Sequence, residues 1–275
     1  MKRSFKIVNK IVLYGKGGIG KSMIASNLST VYAKRNLKVL QIGCDPKHDS
    51  TVRLLGGKKI ITVIDAAKKK EIANLTKEDI VMRGINDIDC IECGGPKPGV
   101  GCAGRGVSLM SEVLSDLNII NSGKYNVIIF DVLGDVVCGG FAAPLRLNFG
   151  EKIFIVISEE LSSLYAANNI THVIKQYEYN GIYLGGFILN LRNNQADLKH
   201  VYRFVKKINS NILVTIPRSA EIENAEFKNR TVTEEYPNSI IAKKFSLLAN
   251  NILSCTKYKR KKINYIEEEA FYSLF

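Results

Sequence analysis

The residues most able to do chemistry form a glycine-rich segment near the start of the chain. Residues 15–22 read G-K-G-G-I-G-K-S and match the pattern G-x-x-x-x-G-K-[ST]. An apolar run at residues 10–14 precedes them, and a helix-compatible segment at 23–35 follows. Between a strand and a helix, such a loop turns backbone N–H groups and the positive helix end toward phosphate. We expect Lys21 to reach the outer phosphates and Ser22 to place its hydroxyl on Mg²⁺.

A second lysine lies directly after the first glycine of this loop. Lys16 is not needed to hold phosphate from within the chain. The loop resembles the deviant Walker A loop, K-G-G-x-G-K-[ST], of dimeric ATPases, in which this lysine reaches the partner subunit's nucleotide. A solvated loop lysine is the alternative. The predicted phosphate-binding residues are Gly15, Lys16, Gly17, Gly18, Ile19, Gly20, Lys21 and Ser22.

Acidic residues follow two further predicted strands. Residues 38–43 run into C-D-P-K-H-D-S-T, which carries Asp45 and Asp49. Residues 125–130 run directly into Asp131, where a Walker B aspartate belongs. Because α/β folds bind ligands at the carboxyl ends of parallel strands, we expect these acids to order the Mg²⁺ shell or the attacking water. For the first pair, the alternative is a capped turn, with Asp49 or Ser50 as the N-cap of the next helix.

Disulfides are rare in cytoplasmic proteins, and we expect this chain to be a cytoplasmic ATPase. We therefore expect its cysteines to bind a metal or cluster. They are Cys44, Cys90, Cys93, Cys102, Cys138 and Cys255. The segment 90–106 is read as a loop, and free N–H groups of its glycines suit hydrogen bonds to cluster sulfides. Cys138 lies seven residues after Asp131, an arrangement that a nucleotide-driven redox switch would need. A four-cysteine site built from residues 90, 93, 102 and 138 of one chain stays open.

Strands and helices alternate along the chain. This predicts an α/β fold: a single P-loop NTPase domain with a mostly parallel sheet and helices on both faces. Strands are predicted at 10–14, 38–43, 125–130, 152–157, 183–189 and 212–216, helices at 23–35, 108–117 and 163–177, and helices with turns over 52–88. The predicted domain spans 1–275. Its last residues, 257–275, form a charged tail, for which we predict a solvated helix; a docking element is the alternative.

Composition limits the class of protein. With 275 residues, 46% of them hydrophobic, the chain can bury one sizeable α/β core. No apolar run approaches the roughly 18 residues of a membrane helix. The first residues run directly into the P-loop strand, so we expect no signal peptide, a cytoplasmic location and no membrane partner. The net charge of +13 is spread over lysines on solvated faces, and no nucleic-acid motif accompanies it.

Four motifs taken together resemble the iron protein of nitrogenase and its relatives. They are K-G-G-I-G-K-S, C-D-P-K-H-D-S-T, G-G-P-K-P-G-V-G-C-A-G-R-G and D-V-L-G-D-V-V-C-G-G-F-A-A-P. The relatives include the reductase subunits of protochlorophyllide, chlorophyllide and nickel-tetrapyrrole reduction, and the resemblance runs from about residue 10 to 237. It implies an ATP-hydrolysing iron–sulfur oxidoreductase component. Such a protein is a homodimer that bridges one [4Fe-4S] cluster and couples MgATP hydrolysis to single-electron donation to a nitrogenase-like catalytic component, with ferredoxin or flavodoxin upstream.

The resemblance also implies roles for individual residues. Cys102 and Cys138 would be the two cluster ligands that each subunit supplies. Two thiolates are half of a cluster, so the cluster requires a two-fold dimer. Arg105 matches an arginine at the face that docks the partner protein.

On the nucleotide side, Lys16 would contact the partner subunit's nucleotide, and Asp45 would help position the hydrolytic water. Asp131 and Asp135 would lie in the second switch, with Asp131 sensing Mg²⁺-phosphate. The residues that match the adenosine-side region are Asn190, Pro217, Arg218, Glu223 and Glu226.

Some positions depart from the nitrogenase pattern. Met23 replaces the usual Thr, and Ser219 and Glu223 stand where Asp and Gln are usual. Two other functions use related sequences. A partition or septum-positioning ATPase shares the deviant loop but has no reason for cysteines in glycine-rich loops. An iron–sulfur assembly carrier usually has a C-x-x-C near its C-terminus, whereas Cys255 stands alone here.

Overall fold

The computed structural model of the chain describes residues 8–95, 103–132, 134, 150–256 and 262–274. Its strands are β1 (Asn9–Tyr14), β2 (Val39–Gly43), β3 (Met82–Arg83), β4 (Asp89–Glu92), β5 (Val127–Asp131), β6 (Lys152–Ile157), β7 (Tyr183–Asn190) and β8 (Ile212–Ile216). They form one sheet in the order β3-β4-β2-β5-β1-β6-β7-β8. Every pairing is parallel except that of β3 with β4. The carboxyl ends of the parallel strands therefore meet at one edge.

Helices cover both faces of this sheet. They are α1 (Lys21–Lys34), α2 (Val63–Lys69), α3 (Lys77–Ile80), α4 (Ala103–Asp116), α5 (Leu161–Gln176), α6 (Lys199–Lys207), α7 (Ala220–Phe227), α8 (Val232–Glu235), α9 (Ile240–Ser254) and α10 (Glu268–Phe271). Short 3₁₀ turns lie at Ile72–Asn74, Ile85–Asp87, Glu178–Asn180 and Tyr272–Leu274. None of the helices in the described ranges is long and apolar enough to cross a membrane.

Two apolar cores separate the sheet from its helices. One lies under α4, α5 and α6, and the other lies under α1, α7 and α9. Along β1, Val12 packs into the first core, whereas Ile11 and Leu13 pack into the second. A strand buried on both faces reads as a continuous apolar run, which is why the run at 10–14 predicted it. The α/β fold class with helices on both faces is confirmed.

The sequence did not predict β3 and β4. The sequence predicts helices and turns where β3 lies and a loop from Cys90 onward, whereas β4 includes this residue. Strand β4 has only two apolar residues because buried acids flank them. Asp89 accepts hydrogen bonds from Lys124 Nζ (2.6 Å) and Tyr125 Oη (2.8 Å). These partners come from elsewhere in the chain, so no local pattern reveals the strand.

The helix predicted from residue 108 begins five residues earlier. α4 starts at Ala103 and includes two glycines in its first turn, which helix propensity alone would exclude. Close packing explains Gly106: a Cβ there would lie 2.7 Å from Ile64 Cδ1. The glycine lets α4 approach α2, and this tertiary contact outweighs the local preference.

The described part of the charged tail, residues 262–274, exposes Glu267, Glu268 and Glu269 but also buries apolar side chains. In its described part, Ile263, Ile266 and Phe271 are buried, and only four residues form α10. The side chain of Asn168 on α5 donates to Ile266 O (2.6 Å) and accepts from Ile266 N (2.9 Å). The solvated interpretation was therefore wrong for residues 262–274, which pack against α5 and α6; residues 257–261 lie outside the described ranges.

Candidate nucleotide-binding site

The loop between β1 and α1 needs glycine at positions where another residue would not fit. Gly15 has φ +142°, and a Cβ there would lie 2.3 Å from Val156 O on the neighbouring strand β6. Gly20 has φ +99°, and its Cβ would lie 2.5 Å from Asn190 Nδ2. That amide group donates to Ile19 O (2.8 Å), so the end of β7 holds the loop in place. The result is a tight backbone cradle at the N-terminus of α1.

Lys21 is the buried cation of this cradle. Only 8% of its surface is exposed, and its Nζ donates to Gly15 O at 2.7 Å and to Lys16 O at 3.2 Å. Asp131 lies close enough for the positive charge of Lys21 to favour its ionised form. The hydroxyls of Ser22 and Ser50 also favour the ionised form by hydrogen bonding, yet burial is the largest effect and raises the pKa of Asp131. Cation, hydroxyl and carboxylate thus meet where Mg²⁺-phosphate chemistry needs them.

A cleft of about 860 Å³ opens at this end of the sheet. Its walls bring together most of the residues that the sequence predicted for nucleotide binding. These are Gly17, Gly18, Gly20, Lys21, Ser22, Asp45, Asp131, Asn190, Pro217, Arg218, Glu223 and Glu226. A volume of several hundred cubic ångströms is typical of small-molecule and cofactor sites. The glycine cradle, the buried lysine and the neighbouring acids fit MgATP.

Asp45 both lines the cleft and stabilises its own turn. Its carboxylate accepts from Lys47 N at 2.9 Å, and its carbonyl accepts from His48 N at 3.0 Å. The alternative, in which Asp49 or Ser50 caps the next helix, is wrong, because that helix is α2 and its N-cap is Thr62. Asp49, four residues further on, also lines the cleft.

The side chain of Lys16 forms a hydrogen bond away from the cleft. Its Nζ donates to Ser162 Oγ at 2.7 Å, in the first turn of α5. The two lysines of the loop therefore have different surroundings within one chain. Gly134 packs directly beneath this part of the loop, where a Cβ would lie 2.4 Å from Gly17 N. Gly134, three residues after Asp131, is thus in contact with the phosphate loop.

Ion pairs line the side of the cleft assigned to adenosine. Arg218 pairs with Glu223 (Nη2 to Oε1, 3.0 Å), and Arg53 pairs with Glu226. Sequence reasoning missed Arg53, because nothing in its neighbourhood marks a residue eight positions past Asp45 as part of the site. It also missed Phe227, which lines the cleft and is 87% exposed. An exposed aromatic ring beside a cleft is visible only in the structure.

Three predicted site residues lie outside the described ranges: Cys102, Asp135 and Cys138. Arg105 is described and is exposed in the first turn of α4. Within the described ranges, no group of three or more histidine, cysteine or acidic side chains is arranged to hold a metal ion.

Cys90 and Cys93 do not form a shared site with each other. Cys90 packs into the core under α1, whereas Cys93 packs into the core under α4, on the opposite face of the sheet. Two thiols separated by the sheet cannot bind one ion, which argues against a four-cysteine site within one chain. Burial also raises the pKa of the Cys93 thiol to about 12, so it stays protonated at neutral pH.

Comparison with known proteins identifies the family. A family model described as 4Fe-4S iron sulfur cluster binding proteins, NifH/frxC family, matches residues 9–274. The chain belongs to this family. The nitrogenase iron protein of Methanospirillum hungatei is 44% identical over 264 residues, which cover 95% of this chain and 93% of that protein. That of Methanococcus voltae is 45% identical, over 93% of this chain and 90% of the relative. The resemblance predicted from the motifs is confirmed.

Solved structures of more distant proteins share the fold of this NifH/frxC chain. The cell division ATPase MinD of Pyrococcus furiosus superimposes with a TM-score of 0.71 at 21% identity, over 90% of this chain and all of MinD (100%). A ParA family ATPase from Chlorobium tepidum gives 0.69 at 22% identity, over 88% of this chain and 99% of that one. At this identity the likeness shows the fold alone, that of a P-loop NTPase.

Proposed function

We propose that the chain is the ATP-dependent electron donor of a nitrogenase-like system. It acts as a cytoplasmic homodimer, receives electrons from ferredoxin or flavodoxin, and passes them singly to a nitrogenase-like catalytic component. One observation carries the proposal: a chain that matches the NifH/frxC family over residues 9–274 has a P-loop cleft in which Lys21, Ser22 and Asp131 meet. The names of its nitrogenase relatives support the same role.

The phosphate side of the cleft binds and hydrolyses MgATP. Backbone N–H groups of residues 15–22 and the ammonium of Lys21 hold the phosphates, and the hydroxyl of Ser22 binds Mg²⁺. Asp131 senses the Mg²⁺-phosphate group through its contact with Ser22. Asp45 orients the attacking water, and Asp135 belongs to the same second switch.

Lys16 acts on the nucleotide of the partner subunit. In one chain its ammonium is bonded to Ser162 Oγ rather than directed into the cleft, which supports a role outside its own site. That exposed hydrogen bond is weak enough to exchange on dimer closure. Hydrolysis then depends on two chains, which links ATP turnover to the dimer that bridges the cluster.

Adenosine binds along the wall formed by α7 and the ends of β7 and β8. The residues that we assign to it are Asn190, Pro217, Arg218, Glu223 and Glu226. The two glutamates are already paired with arginines, so we expect them to shape this wall as ion pairs rather than as isolated charges.

Cys102 and Cys138 of each chain hold the [4Fe-4S] cluster between the subunits. When bound, the cluster supplies reversible one-electron transfer. The chain's own residues set its surroundings: α4 begins directly after Cys102, and Arg105 is exposed in its first turn. We assign Arg105 to the surface that docks the catalytic component. The described thiols Cys90 and Cys93 are buried on opposite faces and are left out of the cluster.

Iron analysis of the anaerobically purified protein tests the proposal. We expect about four iron and four sulfide per two chains, and a paramagnetic signal after dithionite reduction. Cys102→Ser and Cys138→Ser should each lose the iron. Cys255→Ser is the matched control and should retain it, because Cys255 donates to Gly185 O near the amino end of β7, far from the cleft.

Two results would overturn this function. Iron-free protein that still hydrolyses ATP would favour a partition-type ATPase. Loss of all cluster iron from a variant with both Cys90→Ser and Cys93→Ser would exclude a cluster held by Cys102 and Cys138 alone.

A further inference from the structure

A buried carboxyl group stands beneath the nucleotide cleft without lining it. Glu92, the last residue of β4, is fully buried (0% exposed). Its Oε1 accepts two hydrogen bonds from Thr51, one from the backbone N–H and one from the hydroxyl, each 2.7 Å long. Thr51 comes shortly after Asp45 and Asp49, the acids that line the cleft. Glu92 therefore holds the end of the segment that faces the phosphates.

The other oxygen of this carboxyl is not satisfied. Glu92 Oε2 has no hydrogen-bond partner in the part of the chain that the structure describes. A buried polar atom left in this state destabilises the folded chain. The fold nevertheless makes room for it: a Cβ on Gly43 would lie 2.0 Å from Oε2. Packing alone does not account for this glutamate.

The residues directly after Glu92 contact β2 and the phosphate-side segment. Cys93 N donates to Gly43 O at 2.8 Å. Gly95 lies against the phosphate-side segment, where its Cβ would be 2.4 Å from Pro46 Cβ. Glu92 and the residues directly after it thus contact the segment 45–51 near both of its ends, at Thr51 and at Pro46.

The same strand end supports the start of α4. A Cβ on Gly106, in the first turn of that helix, would lie 3.3 Å from Gly94 O and 3.7 Å from Cys93 Sγ. Because α4 begins at the residue after Cys102, a displacement of the β4 end reaches the helix that this cysteine precedes.

We propose that Glu92 is a positioning residue that transmits nucleotide state from the segment 45–51 to the start of α4 and Cys102. The inference rests on the proposed function and adds to it a second connection, separate from the one between Asp131 and Cys138. Nucleotide binding shifts the segment 45–51, Thr51 moves the carboxyl of Glu92, and the β4 end moves with it. Each cluster ligand then has its own route to the nucleotide.

Hydrogen exchange of the full-length, anaerobically purified protein tests this connection. In the wild type, exchange over residues 103–110 should differ by at least about threefold between the MgADP-bound and MgATP-bound protein. Glu92→Ala should bind both nucleotides as tightly as the wild type, because Glu92 does not line the cleft, but should lose the difference over 103–110. Glu92→Gln keeps the acceptor oxygen for Thr51 and should restore it.

A second pair of variants tests the connection without emptying a buried site. Thr51→Val keeps the shape of the side chain but removes its hydroxyl donor, so the nucleotide-dependent difference should fall by about half; Thr51→Ser should retain it. Asp89→Asn is the matched control. It alters the other buried acid of β4, at the end of the strand remote from the cleft, and should leave the response intact.

The proposal fails if the wild type shows no difference between the two nucleotides over residues 103–110. It also fails if Glu92→Ala and Thr51→Val bind nucleotide and respond as the wild type does. Iron content and the reduced-state signal of the same samples report on the proposed function independently, since they depend on the cluster and not on the exchange of α4.

Discussion

At the scale of single residues, the two lysines of the phosphate loop are separated by their surroundings. Lys21 is buried and bonded to the backbone of the loop that it serves. Lys16 is partly exposed and bonded to Ser162, on a different helix. A buried lysine that lines the cleft contributes to binding in its own chain. Because we propose that Lys16 acts on a second chain, substitutions of the two lysines should have different effects.

Substitution of Lys16 should separate binding from hydrolysis. Lys16→Gln should bind MgADP with nearly wild-type affinity, because Lys21 and the backbone cradle remain, but should lose partner-dependent ATP hydrolysis by about a hundredfold or more. Calorimetric titration with MgADP and phosphate release measure the two properties. Ser162→Ala is the control, since it removes only the resting contact of Lys16 and should hydrolyse ATP normally. Wild-type turnover by Lys16→Gln in the presence of its partner would contradict the role in trans.

The buried carboxyl of Glu92 should give the protein a specific dependence on pH. Burial raises its pKa from 4.5 to about 8, although its hydrogen bonds with Thr51 oppose the shift. The folded chain therefore holds a proton that the unfolded chain releases near pH 4.5, so this group stabilises at low pH and its contribution is lost as the pH rises toward about 8. Glu92→Gln carries no such proton.

The melting temperature of Glu92→Gln relative to wild type measures this effect. The difference should become more positive by several degrees between about pH 5 and pH 8, at roughly 2–4 °C per kcal/mol for a chain of this size. Parallel curves for the two proteins would mean that Glu92 titrates normally in the folded chain.

At the scale of elements, the described end of the chain is part of the fold. Residues 262–274 bury two isoleucines and Phe271 against α5 and α6. The ring of Tyr165 on α5 meets Phe271 edge-on at 5.3 Å, and His172 stacks on Tyr265 at 4.2 Å. The amide of Asn168 fixes the backbone between these contacts. The tail thus gives α5 and α6 a shared apolar cover.

Removing that amide should release the tail locally. Asn168→Ala leaves the N–H and C=O of Ile266 without their described partner, at a cost of about 1–3 kcal/mol. Limited proteolysis should then cut within residues 262–274 faster than in the wild type, while the P-loop region stays protected. Asn250→Ala, which loses one exposed bond to Arg35, should be cut at the wild-type rate. Equal cleavage of Asn168→Ala and wild type would show that apolar packing alone holds the tail.

The elements that the sequence predicted best carry their own signal. Strands β1 and β6 are apolar runs that need no information from elsewhere in the chain, and glycine spacing defines the phosphate loop. Strand β4 could not be predicted, because the partners of its buried acids, which include Lys124, Tyr125 and Thr51, lie in other elements. The burial of the tail could not be predicted for a related reason. Its charges are visible in the local sequence, whereas the pocket that receives Phe271 is built from α5 and α6.

The part of the site that results from parallel strands ending at one edge could be predicted from the sequence. Asp45 lies just beyond β2 and Asp131 ends β5, and these strands lie side by side, so the meeting of the two acids results from parallel topology. Ion pairs such as Arg53 with Glu226 join segments far apart in sequence. Their position depends on how α7 packs beside the cleft, and no spacing rule contains that information.

At the scale of the whole molecule, the proposed nucleotide and cluster sites share one short stretch of backbone. Asp131 ends the central strand β5, and its carbonyl accepts from Cys44 N at 2.9 Å, so β2 and β5 are bonded at the cleft. Gly134, three residues on, packs against the phosphate loop. Four residues later the chain reaches Cys138. Backbone fixed at the phosphates cannot relax there without moving the residues next to it in the chain.

Asp131→Glu should test this connection, because it lengthens the phosphate sensor by one methylene group. The variant should bind MgATP, but its cluster should not respond to MgATP as the wild-type cluster does. The longer carboxylate cannot both contact Ser22 and remain in its buried position at the strand end. The measurement is the rate at which a chelator removes iron from the reduced protein, with and without MgATP, together with the cluster potential. In the wild type MgATP should change both, and a shift of about 59 mV would correspond to roughly tenfold in the one-electron equilibrium.

Asp89→Glu is the matched control, a buried acid of the same sheet at the end remote from the cleft, and should respond as wild type does. If wild-type protein releases iron equally fast in both conditions and its potential does not move, nucleotide and cluster are not mechanically coupled.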